Sequence, residues 1–201
     1  YDLVAYTHAR GLICAFSPNG TLITPENARR LREAGVDRCS ISIDGADAAS
    51  HDAFRGVPGA FEASMRGIGY LKDAGLPFQI NTTVTRNNLR SFKNIFSLCE
   101  RIGAAAWHIF LLVPMGRAAG LADQVITAGE YEEVLHWLYD FRKTTSMHLK
   151  ATCAPHYYRI LRQRAREEGL SVSPATFGMD ALTRGCLGGT GFCFISHTGQ
   201  V

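Results

Sequence analysis

Amphipathic stretches alternate with short apolar runs along the chain. Three of the amphipathic stretches end in a similar way, on the segments LREAG (31–35), LKDAG (71–75) and CERIG (99–103), and an apolar or alternating run follows each directly. Glycine just past a helix tolerates the left-handed conformation that commonly ends it. The repeated pattern therefore predicts three helices that each lead into a strand.

The starts of the helices agree with this order. Thr24 precedes Pro25 as an N-cap precedes a first-turn proline, and Thr127 stands three residues before Glu130, as in a capping box. We predict strands near 12–17, 38–43, 78–84, 107–113 and 147–152, and helices near 25–34, 59–74, 89–102, 128–145 and 156–168. Alternation at this spacing indicates parallel strands with crossover helices, in either an open doubly wound sheet or a βα barrel.

Composition and charge narrow the class of protein. With 201 residues, 46% hydrophobic and 19% charged, the chain can bury a sizeable core. A net charge of +3 is too small to indicate a nucleic-acid partner, and no run reaches the roughly 18 apolar residues of a membrane helix. Six cysteines in a domain of this size favour a reducing compartment over a disulfide scaffold. We therefore expect a cytoplasmic globular protein.

Both ends of the sequence look cut. The segment YDLVAYTHARGL (1–12) is typical of the tail of a helix that runs into a strand, with no methionine or cap before it. The last residues break off just after the glycine turn HTGQV (197–201). We expect a fragment whose first βα unit is missing.

Polar residues collect where the predicted strands end. The carboxyl ends of parallel strands meet at one edge of the sheet, and chemistry collects there in such folds. We therefore expect one polar rim, to which each strand contributes a residue: Asn19, Asp44, Thr83, Gly116 and Thr152.

Two of these strand ends place polar side chains on one side of the sheet. Ser42 and Asp44 are two residues apart, as are Asn81 and Thr83, so each pair points to one face of its strand. Hydroxyls, a carboxylate and an amide from neighbouring strands suit the ribose and amino-acid parts of a polar cofactor. Arg55 could add a bidentate contact to a carboxylate, although a lone arginine after a strand is more often structural.

Three segments carry a resemblance to a known family. They are SPNGTLIT (17–24), SISIDGADAASHDAFRGVPGAFEASMRGI (40–68) and INTTVTRNN (80–88). In order and spacing they resemble the core of the radical S-adenosylmethionine (SAM) enzymes, in the branch with a SPASM-type auxiliary cluster domain. The resemblance covers roughly residues 8–117. It implies a partial (βα)6 TIM-like barrel of parallel strands, followed by the start of a SPASM or twitch-type cluster domain.

The resemblance also implies cofactors and the residues that bind them. The cofactors are SAM, a four-iron, four-sulfur cluster on a CxxxCxxC loop, and an auxiliary four-iron cluster. The CxxxCxxC loop and the Gly-Gly-Glu strand of the family do not occur in these 201 residues, so the fragment alone is expected to be inactive. Carried over residue by residue, the expected cofactor-binding positions are Ser42, Asp44, Arg55, Asn81, Thr83 and Val113.

The last residues, GCLGGTGFCFISHTGQV (185–201), are interpreted as part of a metal site. They match neither GxGxxG nor GxxxxGK, which argues against a phosphate loop. SPASM domains open with a cysteine and a later glycine across a hairpin, and thiolates are the usual iron–sulfur ligands. Cys186 and Cys193 are therefore the expected metal ligands, with a buried thiol as the alternative for each. We expect a radical SAM core over 1–168 and a linker with the start of the cluster domain over 169–201.

Within this branch, KATCAPHYYRI (150–160) and the last segment resemble the haem-biosynthesis members, which are NirJ-like and Ahb-like. The resemblance implies an oxidoreductase or decarboxylase-type enzyme that uses a 5′-deoxyadenosyl radical to modify side chains of a tetrapyrrole. It also implies an electron donor of the flavodoxin or ferredoxin type. The expected substrate-binding residues are Arg117, His156 and Tyr157.

Other interpretations of the same residues stay open. Pro155 can simply start a helix that Tyr157 packs. The radical SAM core is shared with SPASM-type peptide maturases. A βα-barrel lyase or aldolase with Lys150 as a Schiff-base lysine is the non-radical alternative.

Overall fold

The computed structural model describes residues 1–152, 154–178 and 191–201, without the side chain of Arg117. The chain forms two compact units, Tyr1–Thr152 and Cys153–Val201. The predicted boundary between residues 168 and 169 stays a prediction.

The first unit is a parallel sheet with helices between its strands. In chain order its elements are α1 (Asp2–Ala9), β1 (Ala15–Phe16), α2 (Pro25–Glu33), β2 (Arg38–Ser42), α3 (Ala48–Arg55), α4 (Ala60–Asp73), β3 (Phe78–Val84), α5 (Arg86–Leu89), α6 (Phe92–Arg101), β4 (Ala106–Leu111), a 3-10 helix (Gly116–Gln124), α7 (Ala128–Phe141) and β5 (His148–Thr152). Every pair of neighbouring strands is parallel, and the order across the sheet is β1-β2-β3-β4-β5.

This strand order distinguishes between the two predicted architectures. A doubly wound sheet reverses its strand order at a switch point and carries helices on both faces. Here each strand is added on the same side as the one before, and right-handed crossovers then place all the connecting helices on one face. The first unit therefore has the winding of a βα barrel, and the predicted parallel α/β fold is confirmed.

The two faces of the sheet differ in chemistry. The outer face is apolar and buried: Cys39, Ile41, Phe78, Ile80, Val84, Trp107, Ile109, Leu111 and Leu149 lie on it. Helices pack here, because the rings of Phe92 and Phe96 on α6 and of Phe141 on α7 lie 4.9, 5.8 and 6.3 Å from the ring of Trp107. The other face, called the inner face below, carries Ser40, Ser42, Gln79, Asn81, Thr83, His108, Phe110, Lys150 and Thr152.

Several helix ends agree with the sequence signals. Thr24 and Thr127 accept hydrogen bonds from the third helical N–H of α2 and α7, which confirms both predicted caps. Helix α3 was not predicted, because His51 is its single buried residue and it has no apolar stripe.

The second unit, over its described residues, contains α8 (Tyr157–Glu167) and α9 (Pro174–Phe177). Ser173 caps α9 by accepting a hydrogen bond from the N–H of Thr176. Among the described residues of both units, no helix has the length and apolarity needed to cross a membrane.

Candidate functional site

The expected polar rim exists. Parallel pairing brings the carboxyl ends of the strands to one edge, and Asp44, Thr83 and Thr152 lie at or just after those ends. Asn19 follows β1, and Gly116 follows β4. Ser42 lies directly beside Asn81 in the register of β2 and β3, so the pairing joins two predicted cofactor-binding residues.

Asp44 is the centre of a buried hydrogen-bonding cluster at this rim. Its side chain is 0% exposed; one carboxylate oxygen accepts from the N–H of Thr83 at 2.7 Å, and the other pairs with the guanidinium of Arg55. The backbone N–H of Asp44 donates to Nδ1 of His51 at 3.1 Å, and its carbonyl accepts from the Asn88 side chain at 2.9 Å. Asp44 therefore links the β2–α3 turn to α3 and to the end of β3.

Two opposing effects act on the pKa of the Asp44 carboxyl. Burial raises the pKa of the Asp44 carboxyl, while the Arg55 guanidinium and the Thr83 N–H act in the opposite direction. Because the carboxylate is enclosed and its two oxygens already have partners in Arg55 and the Thr83 N–H, it does not contact a cofactor directly in this arrangement. Its effect on a ligand must pass through Arg55, whose side chain is 35% exposed.

The other polar residues of the same segment hold local structure. The carboxylate of Asp52 accepts from the N–H groups of Gly59 and Phe61, at 2.6 and 2.8 Å, and so caps the start of α4 from α3. Burial, and next the charge of Arg55, lower the pKa of His51 to about 4, so that the ring stays neutral and its Nδ1 can accept from Asp44. At Gly45 a Cβ would lie 2.4 Å from the backbone nitrogen of His51, so this turn requires glycine.

A cavity opens beside this cluster at the ends of β1 and β2. Its volume is about 250 Å³, and it is lined by Asn19, Thr21, Ser42, His51, Arg55, Val57, Ala60 and Ser64. Hydroxyls, an amide and an exposed guanidinium fit the carboxylate and ribose of SAM, since they can donate to both groups. Ser42 and Arg55 thus line one cavity, whereas Asp44 lies behind it. Asn81 and Thr83 lie on the neighbouring strand, and Val113 is exposed after β4.

A second cluster lies on the inner face. The side-chain nitrogen of Gln79 lies 2.7 Å from Oδ1 of Asn81 and 2.9 Å from Nδ1 of His108, and the guanidinium of Arg38 donates to Oε1 of Gln79 at 3.5 Å. Burial, followed by the charges of His148, Lys150 and Arg38, lowers the pKa of His108 to about 3. The sequence analysis missed this cluster, although Gln79 and Asn81 alternate with buried Phe78 and Ile80.

The predicted substrate and metal positions lie in other parts of the chain. His156 is exposed and Tyr157 is buried at the start of α8. Cys193 is an exposed free thiol, while Cys186 and the Arg117 side chain lie outside the described residues. Among the residues that the structure describes, no group of three or more His, Cys, Asp or Glu side chains could hold a metal. Lys150 is exposed on β5, which does not provide the desolvation that activates a Schiff-base lysine.

Together, a sequentially wound parallel sheet, a polar inner face and a polar cavity of about 250 Å³ at the strand ends are typical of a cofactor-binding βα-barrel enzyme. Comparison with known proteins makes this specific, because residues 1–99 match the Radical SAM superfamily. The match covers 99 of the 201 residues of the chain.

Similarity to individual proteins extends over the whole chain. It is 81% identical over all 201 residues to the AdoMet-dependent heme synthase of Nitratidesulfovibrio vulgaris, covering 55% of that protein, and 50% identical to the protein of that name from Methanosarcina barkeri, covering 57%. The chain thus spans about half the length of these relatives. The crystal structure of Streptococcus suis SuiB bound to its precursor peptide SuiA has a TM-score of 0.64 at 11% identity, covering 81% of this chain and 37% of SuiB. The likeness to SuiB shows the shared fold alone.

Proposed function

We propose that this chain is part of a radical SAM enzyme that modifies carboxylate side chains of a tetrapyrrole in haem biosynthesis. The observation that carries the proposal is the 81% identity to a heme synthase over every residue of the chain. The polar cavity at Ser42 and Arg55 and the polar inner face support it, since one suits SAM and the other a polar substrate.

The chemistry divides between cofactors and protein. When bound, SAM and its four-iron cluster supply a 5′-deoxyadenosyl radical that takes a hydrogen atom from the substrate. Ser42 and Arg55 would hold the polar ends of SAM by hydrogen bonds, and Asp44 would position Arg55 from behind. Asn81, Thr83 and the backbone at Val113 would complete the cofactor site as secondary contacts.

The decarboxylase-type reaction also needs an electron acceptor. Conversion of a propionate to a vinyl group releases carbon dioxide, one hydrogen atom and one electron. An auxiliary cluster in a SPASM-type domain would supply an acceptor for this electron, and Cys186 and Cys193 would be among its ligands. A flavodoxin or ferredoxin would supply the electron that cleaves SAM. Arg117, His156 and Tyr157 remain proposed substrate contacts.

The test uses the full-length enzyme, purified and reconstituted without oxygen. With SAM, a reductant and iron coproporphyrin III, which carries four propionates, it should form 5′-deoxyadenosine, carbon dioxide and a porphyrin with vinyl groups, all detectable by mass spectrometry. A variant without the first cysteine of the CxxxCxxC loop is the control for chemistry that depends on the cluster. Cleavage of SAM without any change in the porphyrin would contradict the proposed substrate. A SPASM-type peptide maturase would then be the alternative.

A further inference from the structure

The inner face carries a directed chain of hydrogen bonds that leads away from the cofactor site and meets it only at Asn81. It runs from Arg38 on β2 to Gln79 and Asn81 on β3 and to His108 on β4. His108 lies between Asn81 and Lys150 in the register of the sheet. The chain of bonds thus ends at an imidazole near the middle of the inner face.

The donors and acceptors determine which ring nitrogen of His108 carries the proton. A guanidinium can only donate, so the oxygen of the Gln79 amide faces Arg38 and its nitrogen faces Asn81 and His108. Nδ1 of His108 therefore accepts a hydrogen bond from Gln79. In the neutral ring the proton is then on Nε2.

This Nε2–H is buried, and among the described residues it has no hydrogen-bond partner. Buried donors in native proteins are nearly always paired, so an orphan donor indicates an acceptor that binds there. The surroundings favour an anionic acceptor, because Lys150, Arg38 and His148 all lie close enough to affect the imidazole. Burial and these charges keep the ring neutral by lowering its pKa to about 3, so the Nε2–H is available as a donor at neutral pH.

We propose that His108 is a substrate-binding residue whose Nε2–H donates to a carboxylate of the substrate on the inner face, with Lys150 supplying positive charge beside it. Gln79 is the positioning residue that presents the ring in the correct tautomer. The inference rests on the proposed function, because a tetrapyrrole with propionate side chains provides the carboxylate.

The test measures binding of iron coproporphyrin III to the full-length protein without SAM, by titration of the Soret absorbance. His108→Asn keeps an acceptor near the position of Nδ1 but removes the Nε2–H donor. The Kd should rise roughly 10- to 100-fold, as for a lost hydrogen bond to a charged group. His108→Gln places an amide nitrogen near the position of Nε2 and should restore most of the affinity. His136→Asn, which removes an imidazole from α7, should bind as the wild type does.

Two further measurements distinguish a lost contact with the substrate carboxylate from general damage to the protein. SAM affinity should be the same in all variants, which shows that the cofactor site is intact. With the tetramethyl ester of the probe, the difference in Kd between wild type and His108→Asn should be much smaller, because an ester carbonyl accepts a hydrogen bond but carries no charge.

Equal Kd values for wild type and His108→Asn with the acid would overturn the role of His108 and leave the proposed function standing. Failure of His108→Gln to restore affinity while SAM still binds, or a difference of the same size with the ester as with the acid, would also overturn it. If the wild type itself does not bind the porphyrin, the proposed substrate is wrong, and this inference falls with it.

Discussion

Replacing Arg55 with alanine should loosen the rim of the sheet even when no cofactor is bound. The change leaves the buried Asp44 carboxylate with the Thr83 N–H as its remaining side-chain contact. Breaking a fully buried ion pair by removing one partner costs about 3–5 kcal/mol. Because the Arg55 side chain is 35% exposed and water can replace part of it, we expect about 2 kcal/mol, or roughly 30-fold in the opening equilibrium.

Hydrogen–deuterium exchange of the full-length protein measures this local opening. Peptides covering 38–45 and 78–85 should exchange roughly 30-fold faster in Arg55→Ala. Arg29→Ala is a matched control, since Arg29 also makes ion pairs, with Glu26 and Glu33 at 2.9 and 2.7 Å, but on an exposed helix. Exposed pairs contribute at most about 1 kcal/mol, so this control should change exchange little.

A double-mutant cycle tests whether Arg55 stabilises the rim through its ion pair with Asp44. Asp44→Asn keeps an oxygen that can accept from Thr83 but needs no counterion, so adding Arg55→Ala to it should change exchange far less than in the wild type. An equal effect of Arg55→Ala in both backgrounds would refute the role of the ion pair. SAM affinity is measured separately: a direct contact with Arg55 predicts a loss of about 1–3 kcal/mol in both backgrounds, with unchanged cluster content.

Three other outcomes are expected of the full-length protein. Ser42→Ala should weaken SAM binding by about 1 kcal/mol, measured by calorimetry, and unchanged affinity would exclude a hydrogen bond from Ser42. Cys186→Ala should lose the iron and sulfide of the second cluster but keep the first, and equal iron in both proteins would make Cys186 an ordinary thiol. His51 takes up a proton below pH 6.5 in the unfolded state but only near pH 4 in the native state. The free energy of unfolding should therefore fall by up to about 3 kcal/mol as the pH drops from 6.5 to about 4. A shallower pH dependence of the denaturation midpoint in His51→Gln would confirm this, and an identical one would contradict it.

Periodic patterns were enough to predict most of the elements. The strands predicted at 38–43 and 78–84 are found at Arg38–Ser42 and Phe78–Val84, because apolar residues alternate with polar ones along each strand and one face of the sheet is apolar. Helix α3 was missed, because polar contacts to residues outside the helix stabilise it, and a search for apolar periodicity does not detect such contacts.

The candidate site was predictable only in part, for a similar reason. Alternation was sufficient to place Ser42 and Asn81 on defined sides of their strands, whereas the register that makes them neighbours is a property of the folded sheet. Asp44 has the same alternation, yet its carboxylate is enclosed, because its partners Arg55 and Thr83 come from α3 and β3. The contact between Gln79 and His108 joins residues 29 apart and requires the register of β3 with β4, which single-strand patterns do not contain.

The cluster around Asp44 has an evolutionary consequence. Each polar residue of the cluster forms a hydrogen bond or ion pair with another residue of the cluster. A single substitution therefore leaves a buried polar group without its partner and destabilises the protein, so the cluster can change only through destabilised variants. On the inner face, the described side-chain hydrogen bonds between polar residues run through Gln79, which contacts Arg38, Asn81 and His108, so fewer positions depend on one another there. New substrate preferences are therefore expected to arise by substitutions on the inner face. The residues of the cluster around Asp44 are expected to stay unchanged together.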